Sequence, residues 1–202
     1  MKNLLLVGAL WMAIASGGAL AQSATPGKAP AVGAPVPKTA PGNSKPLPAG
    51  VRDLKWEEMM PASWNPRQSL DKLNLQGMTD NDPRANEALA KLRTEWDRAP
   101  VVKTLAGKKV RLPGYMVSLE GDGKSIREFL LVPYFGACIH VPPPPSNQIV
   151  HVFSDRPVPE GLLLMPVWVT GVLELEDIDT ALGSASYQMR KAAVEAYVSP
   201  VK

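Results

Sequence analysis

The chain carries little of what covalent or metal chemistry needs. Its 202 residues include one cysteine, Cys138, and two histidines, His140 and His151. A lone cysteine excludes an intramolecular disulfide. No Gly-x-Ser-x-Gly elbow is present, nor a His-x-x-x-His pair, so two common ways of building a hydrolase are missing. Gly121-Asp122-Gly123-Lys124 lacks the Gly-rich length of a phosphate-binding loop. It reads as a hairpin turn. Glu174, Glu176, Asp177 and Asp179 lack the spaced ligands and central glycine of a calcium loop, and read as a solvated acidic turn. Enzymatic activity is therefore not the expectation.

What is present first is an export signal. Lys2 supplies a positive start, Leu4 to Ala15 is almost wholly apolar, and Ala19-Leu20-Ala21 is the small-x-small pattern of a cleavage site. The run is too short to span a bilayer. No cysteine follows the cleavage point, so neither a lipid anchor nor a transmembrane helix is expected in the mature chain. These features predict a signal peptide over 1–21 and a soluble periplasmic product. Residues 22–50 hold seven prolines and three lysines, with neither acid nor aromatic. Such a composition predicts a disordered, semi-rigid tether. A single domain over 51–202 remains. Removing Lys2 and the three tether lysines from the 22 basic residues leaves 18 against 19 acidic ones, so a basic face for nucleic acid is not supported.

Within that domain, 54–64 reads as a short helix stopped near Pro61. The clearest helix lies over 82–100, with Asp82 as N-cap, Pro83 at the first helical position and Pro100 as the stop. Ala85, Leu89, Leu92 and Trp96 make its apolar stripe, and Glu87 and Lys91 a surface pair. From residue 108 the period changes to two. Strands are predicted over 109–120, 126–134, 148–153 and 166–176, with a bulge or bend at Pro113-Gly114 and a turn at 155–161. Val167, Val169, Leu173 and Leu175 are expected on one face. For 186–198 a closing strand is favoured over a helix, against its Ala-rich centre. The result is a mainly β chain with one or two N-terminal helices, predicted as a small, partly open OB-like barrel; a β-sandwich is the alternative.

All the soft-ligand residues gather in 134-YFGACIHVPPPPSNQIVHV-152. If the backbone there is extended, Cys138 and His140 leave one face together and form either a metal-binding or a thiol–imidazole pair. His151 would add a third ligand if the following strand folds back, with Asp155 or water as a fourth. The bland alternative is a buried thiol and a histidine bonded to its surroundings. Pro142, Pro143, Pro144 and Pro145 predict a stiff polyproline segment at the surface. It would hold Asn147 and Gln148, either as a rigid loop or as a preformed docking edge for a protein partner.

The same stretch resembles the signature of a bacterial family of exported proteins of unknown function, an FGACIHVPPPPxNQ-like motif. The resemblance extends to Val110-Arg111-Leu112-Pro113-Gly114-Tyr115, to Glu128–Tyr134, to Leu54-Lys55-Trp56, to Pro61–Trp64 and to Pro166–Gly171. It implies an OB-like domain and a periplasmic home. It also implies an accessory role beside zinc-responsive ABC transport, since family members are commonly encoded there. Zinc is the one cofactor it suggests. The expected function is a non-enzymatic binding module that meets a periplasmic or membrane protein. The alternative is a thiol-dependent redox or metal-delivery protein using Cys138 with His140.

Overall fold

The architecture turns on one long strand that changes partners halfway. In this computed structural model, which describes residues 29–37, 47–73, 82–119, 126–140 and 143–197, the order is β1 (Arg52–Asp53), α1 (Pro66–Asp71), α2 (Pro83–Trp96), β2 (Lys108–Ser118), β3 (Ile126–Val132), β4 (Val150–Val158), β5 (Val167–Thr180) and β6 (Gly183–Ala196). The expected signal peptide, the 121–124 turn and Pro142 lie outside the described residues. β2 pairs antiparallel with β5 from Lys108↔Leu173 to Gly114↔Val167, then with β3 from Tyr115↔Val132 to Ser118↔Phe129. β3 pairs antiparallel with β4, β4 parallel with β6, and β6 antiparallel with β5. The pairings thus return to β2 and make a partly closed, ring-like sheet, with β1 parallel to the start of β2. This is the mainly β, OB-like arrangement the sequence predicts, and not two separate sheets.

Gly114 permits the change of partner. A Cβ there would lie 2.7 Å from Leu131 Cδ1 and Cγ and 2.9 Å from the Val132 carbonyl, closer than packed atoms approach. The neighbouring Pro113 carbonyl accepts a 2.7 Å hydrogen bond from Trp56 Nε1, which ties the N-terminal layer to the bend. Inside the ring, Leu112, Met116, Phe129, Leu131, Val152, Val169 and Tyr187 are buried in one continuous core. Each large side chain there contributes about 1.5–3 kcal/mol.

The helices follow their caps. Asp82 accepts from Arg84 N–H at 2.9 Å with Pro83 behind it, and the Lys91–Glu87 pair closes at 2.7 Å. The helix ends at Trp96 rather than at Pro100, and Leu89 is exposed although the stripe places it inward. Over 54–64 only a single tight turn forms, Trp56–Met59; the second helix is instead α1, which Asn65 caps by accepting from Arg67 N–H. Residues 183–196 are a strand, as favoured. The Ala-rich centre is accommodated by a bulge in which Lys191 takes φ 50° and the register with both neighbours shifts. Leu175 keeps the alternation of Val167, Val169 and Leu173 up to a further register shift before Ile178, but near that end of the strand it is exposed.

Candidate recognition face and the Cys138 loop

The ring has a second apolar face on its outside. Strand alternation sends Leu130 and Val132 of β3 opposite to Phe129 and Leu131, and they join Tyr115, Val117, Ala137, Ile149 and Ala185 in a separate buried cluster. In five-stranded OB barrels, the outer face of the second and third strands is a usual ligand surface; here those strands are β3 and β4. Tyr134, Phe135, Cys138 and Val36 pack against this cluster, so the chain itself partly covers the face.

Residues 134–140 do not continue β3. They form successive turns, with Gly136 at φ 80° and Cys138 at φ 67°. The expected extended backbone, with Cys138 and His140 leaving one face together, is therefore corrected. The cause lies in Gly136: its positive φ starts a turn closed by His140 N–H donating to the Gly136 carbonyl at 2.8 Å. Cys138 is half-buried on the outer cluster, while Ile139 is 62 % exposed and His140 is exposed beside it. Burial pushes the Cys138 thiol up to about 11, and the charge of Arg93 offsets only part of that. Tyr134 is likewise pushed up, to about 12, by burial and then by Cys138.

His151 does fold back beside β3, paired in register with Leu130 and with Gln188 of β6. It is 4 % exposed. Its Nε2 meets the Glu128 carboxylate at 2.8 Å and its ring lies 4.5 Å from that of Phe153. Among the described residues, no three His, Cys, Asp or Glu side chains are arranged to hold a metal ion. Cys138, His140 and His151 are thus not brought together as one ligand set. Cys138 and His140 are two soft donors, fewer than the four that a structural zinc site takes.

The described prolines, Pro143 to Pro145, are packed into the fold rather than forming an exposed edge. Pro144, Pro145, Asn147 and Gln148 are buried and Pro143 is half-buried, which corrects the expected surface position. Pro143 is wedged on the β5–β6 turn, where a Cβ on Gly183 would come within 3.1 Å of it. The residues after the prolines knot three layers together. Ala99 N–H donates to Ser146 Oγ, Asn147 Nδ2 to the Pro100 carbonyl at 2.8 Å, and Gln148 Nε2 to the Trp56 carbonyl at 2.9 Å. Ser186 Oγ of β6 completes the knot on Ser146 at 2.8 Å.

Two features escaped the sequence reading. Residues 29–37, part of the expected tether, lie against 133–135: a turn over Ala31–Ala34 leads into a short extended piece, with Pro35 bridged to Tyr134. A Val-x-x-x-Val spacing inside the Pro/Ala stretch, at Val32 and Val36, was the available signal. Arg111 was missed as well. It is buried, bonded to Asp53 at 2.7 and 3.2 Å, and stacked 4.2 Å over Trp168. Elsewhere an open cleft of about 820 Å³ runs between Arg93, Arg98 and Lys103 on one wall and Asp177 and Asp179 on the other. The four acidic residues read as a solvated turn therefore stand on β5, and two of them, Asp177 and Asp179, line the cleft.

Comparison with known proteins agrees with the fold. No curated protein matches the chain. A crystal structure of a DUF3299 family protein from Pseudomonas aeruginosa PAO1, at 2.45 Å resolution, is 39% identical, with a TM-score of 0.58; the match covers 73% of this chain and 96% of that one. The family model described as "Protein of unknown function (DUF3299)" matches residues 56–196. On these grounds the chain belongs to the DUF3299 family.

Proposed function

We propose that this protein is a non-enzymatic binding module of the cell envelope, exported to the periplasm, that meets a protein partner through the loop over residues 134–140. The observation that supports this most is Ile139. A large apolar side chain, 62 % exposed, stands on a braced turn next to exposed His140 and close to exposed Val32. A rigid apolar projection loses little entropy on binding and costs solubility otherwise. The described prolines, Pro143 to Pro145, are packed into the fold and are not themselves offered to the partner.

An accessory role beside zinc-linked ABC transport remains part of the proposal and rests on the family resemblance. In it the protein handles a transport partner and not the ion, since Cys138, His140 and His151 are not gathered into one ligand set among the described residues. The thiol-dependent alternative needs a cysteine that ionises near neutral pH, and burial pushes Cys138 to about 11 instead.

The test is co-purification from an envelope fraction with the wild type, Ile139→Asp and His140→Ala, beside zinc titration of the same proteins. A defined partner that is lost with Ile139→Asp, together with weak zinc binding unchanged by His140→Ala, is expected. Tight zinc binding abolished by His140→Ala or Cys138→Ser would replace this reading with metal delivery.

A further inference from the structure

Within residues 29–37, the short piece Ala34–Val36 sits on the outer face in the manner of an added β-strand. Gly33 N–H donates to the Phe135 carbonyl at 2.8 Å, Phe135 N–H to the Ala34 carbonyl at 2.9 Å, and Val36 N–H to the Pro133 carbonyl at 3.3 Å. Pro35 falls opposite Tyr134 at the one position of this short ladder where no N–H is required. Ahead of this ladder the chain turns over Ala31–Ala34, with Gly33 at φ 81° and Ala34 N–H donating to the Ala31 carbonyl at 2.9 Å. Val36 packs on the outer apolar cluster, and Val32 lies against Gly136, where a Cβ would come within 3.2 Å of it. Gly136 is thus needed both for its positive φ and for room under Val32. Tyr197 completes the hold by donating its hydroxyl hydrogen to the Pro37 carbonyl.

The hold is thin. None of residues 29–37 is buried, and only Pro30, Ala34 and Val36 are half-buried. Segments with few buried contacts open at low free energy. Beneath this one lies an apolar cluster, and beside it a main-chain edge at Pro133–Gly136 that has already accepted a strand. Main-chain bonds supply affinity and alternate side-chain contacts supply selectivity in such strand addition. The resident segment also specifies what fits: it has no charged residue, only small residues, valines and prolines.

The geometry points to a peptide-docking groove on this face, which takes an extended, uncharged strand rich in Val, Ala and Pro from a protein partner, with residues 29–37 as its resident occupant in cis. The inference rests on the reading of this face as a recognition surface and names the class of partner. The resident segment competes as a tethered ligand at high effective concentration, so the groove binds weakly in trans until the segment is released.

A fluorescein-labelled peptide with the sequence of residues 29–37, titrated into the full chain by anisotropy, tests this. Val36→Asp in the chain should release the segment and give saturable binding at least tenfold tighter than wild type. A peptide carrying Val36→Asp should bind neither protein. Val32→Asp, at an exposed position of the segment, keeps the test decisive should Val36→Asp disturb folding. Equal binding to wild type and variants, or none to either variant, would overturn the groove. A concentration-dependent wild-type dimer that Val36→Asp abolishes would overturn the choice of partner, by making a second copy the occupant. Loss of the partner with Ile139→Asp is a separate readout, so the groove can fail while the recognition loop stands.

Discussion

Replacing Gln148 by leucine separates the two roles that the segment after the prolines was open to. The side chain is 8 % exposed, and its Nε2 donates to the Trp56 carbonyl at 2.9 Å and to the Asn147 carbonyl at 3.1 Å. Leucine fills similar volume but donates nothing, so the main loss is a buried carbonyl left without its partner. That costs about 1–3 kcal/mol. Little of the cost is recovered by solvation, because Trp56 is itself buried and held by Pro113 on its other side. For a domain of this size about 2 kcal/mol lowers Tm by roughly 4–8 °C. The assay is thermal unfolding by circular dichroism on wild type, Gln148→Leu and Gln148→Glu, with co-purification of the partner run in parallel below the transition. Destabilisation with partner capture intact is expected for Gln148→Leu. A Tm within 1 °C of wild type, as expected only for an idle surface residue, with capture lost, would refute the knot and restore a docking edge.

Other consequences follow from the bend, the thiol and the buried cation. Gly114→Ala forces a methyl into the Leu131 side chain and the Val132 carbonyl; an overpacking loss of about 1–3 kcal/mol is expected in urea unfolding, and a neutral result would deny that the bend is tight. Cys138 holds its proton to about 11 against an ordinary 9.0, so the unfolded chain ionises first. Stability should then be full below pH 9 and fall as pH rises toward 11. Cys138→Ser should flatten part of that fall, the rest belonging to Tyr134, whose proton is held to about 12, and to Tyr115 and Tyr187, which burial also raises. Unfolding midpoints at pH 8 and 10.5 that decline equally in both proteins would contradict the burial of the thiol. Asp53→Ala removes a half-exposed partner from the buried Arg111, and because Asp53 is screened the loss should be about 1–2 kcal/mol rather than that of a fully buried pair.

Much of the fold was legible because local rules and tertiary demands coincide. Asp82-Pro83 caps α2 as written, and Pro113-Gly114 marks the bend at which β2 changes partners. The last strand was legible by its alternation despite Ala192 and Ala193, whose helical preference a bulge at Lys191 absorbs. The misplaced parts share a cause: they depend on contacts distant in sequence. Leu89 follows the stripe of α2, yet among the described residues no element covers it. The polar pair Asn147-Gln148 looks like surface until Pro100 and Trp56 supply carbonyls from residues 47 and 92 positions away. Prolines suggested exposure for the same reason, as their composition says nothing of the β5–β6 turn that packs against them.

The candidate site was legible in its location and not in its chemistry. Sequence alone directed attention to 134–152, since every cysteine and histidine lies there. An extended backbone was the assumption that made a metal or thiol pair attractive, and the positive φ of Gly136 and Cys138 removes it. His151 proved a buried partner of Glu128. The occupant of the outer face was invisible because a Pro/Ala-rich stretch gives no period to read, only two valines four residues apart.

The claim on which the account depends is that the loop over 134–140 meets a protein partner. The direct measurement is site-specific photo-cross-linking in living cells from position 139, with position 164 as the control. Leu164 is 58 % exposed and Ile139 62 %, so accessibility is matched. A discrete adduct from position 139 that position 164 does not give, and that competes with the uncross-linked wild type, is the predicted result. The same adducts from both positions, or none from position 139, would contradict the account.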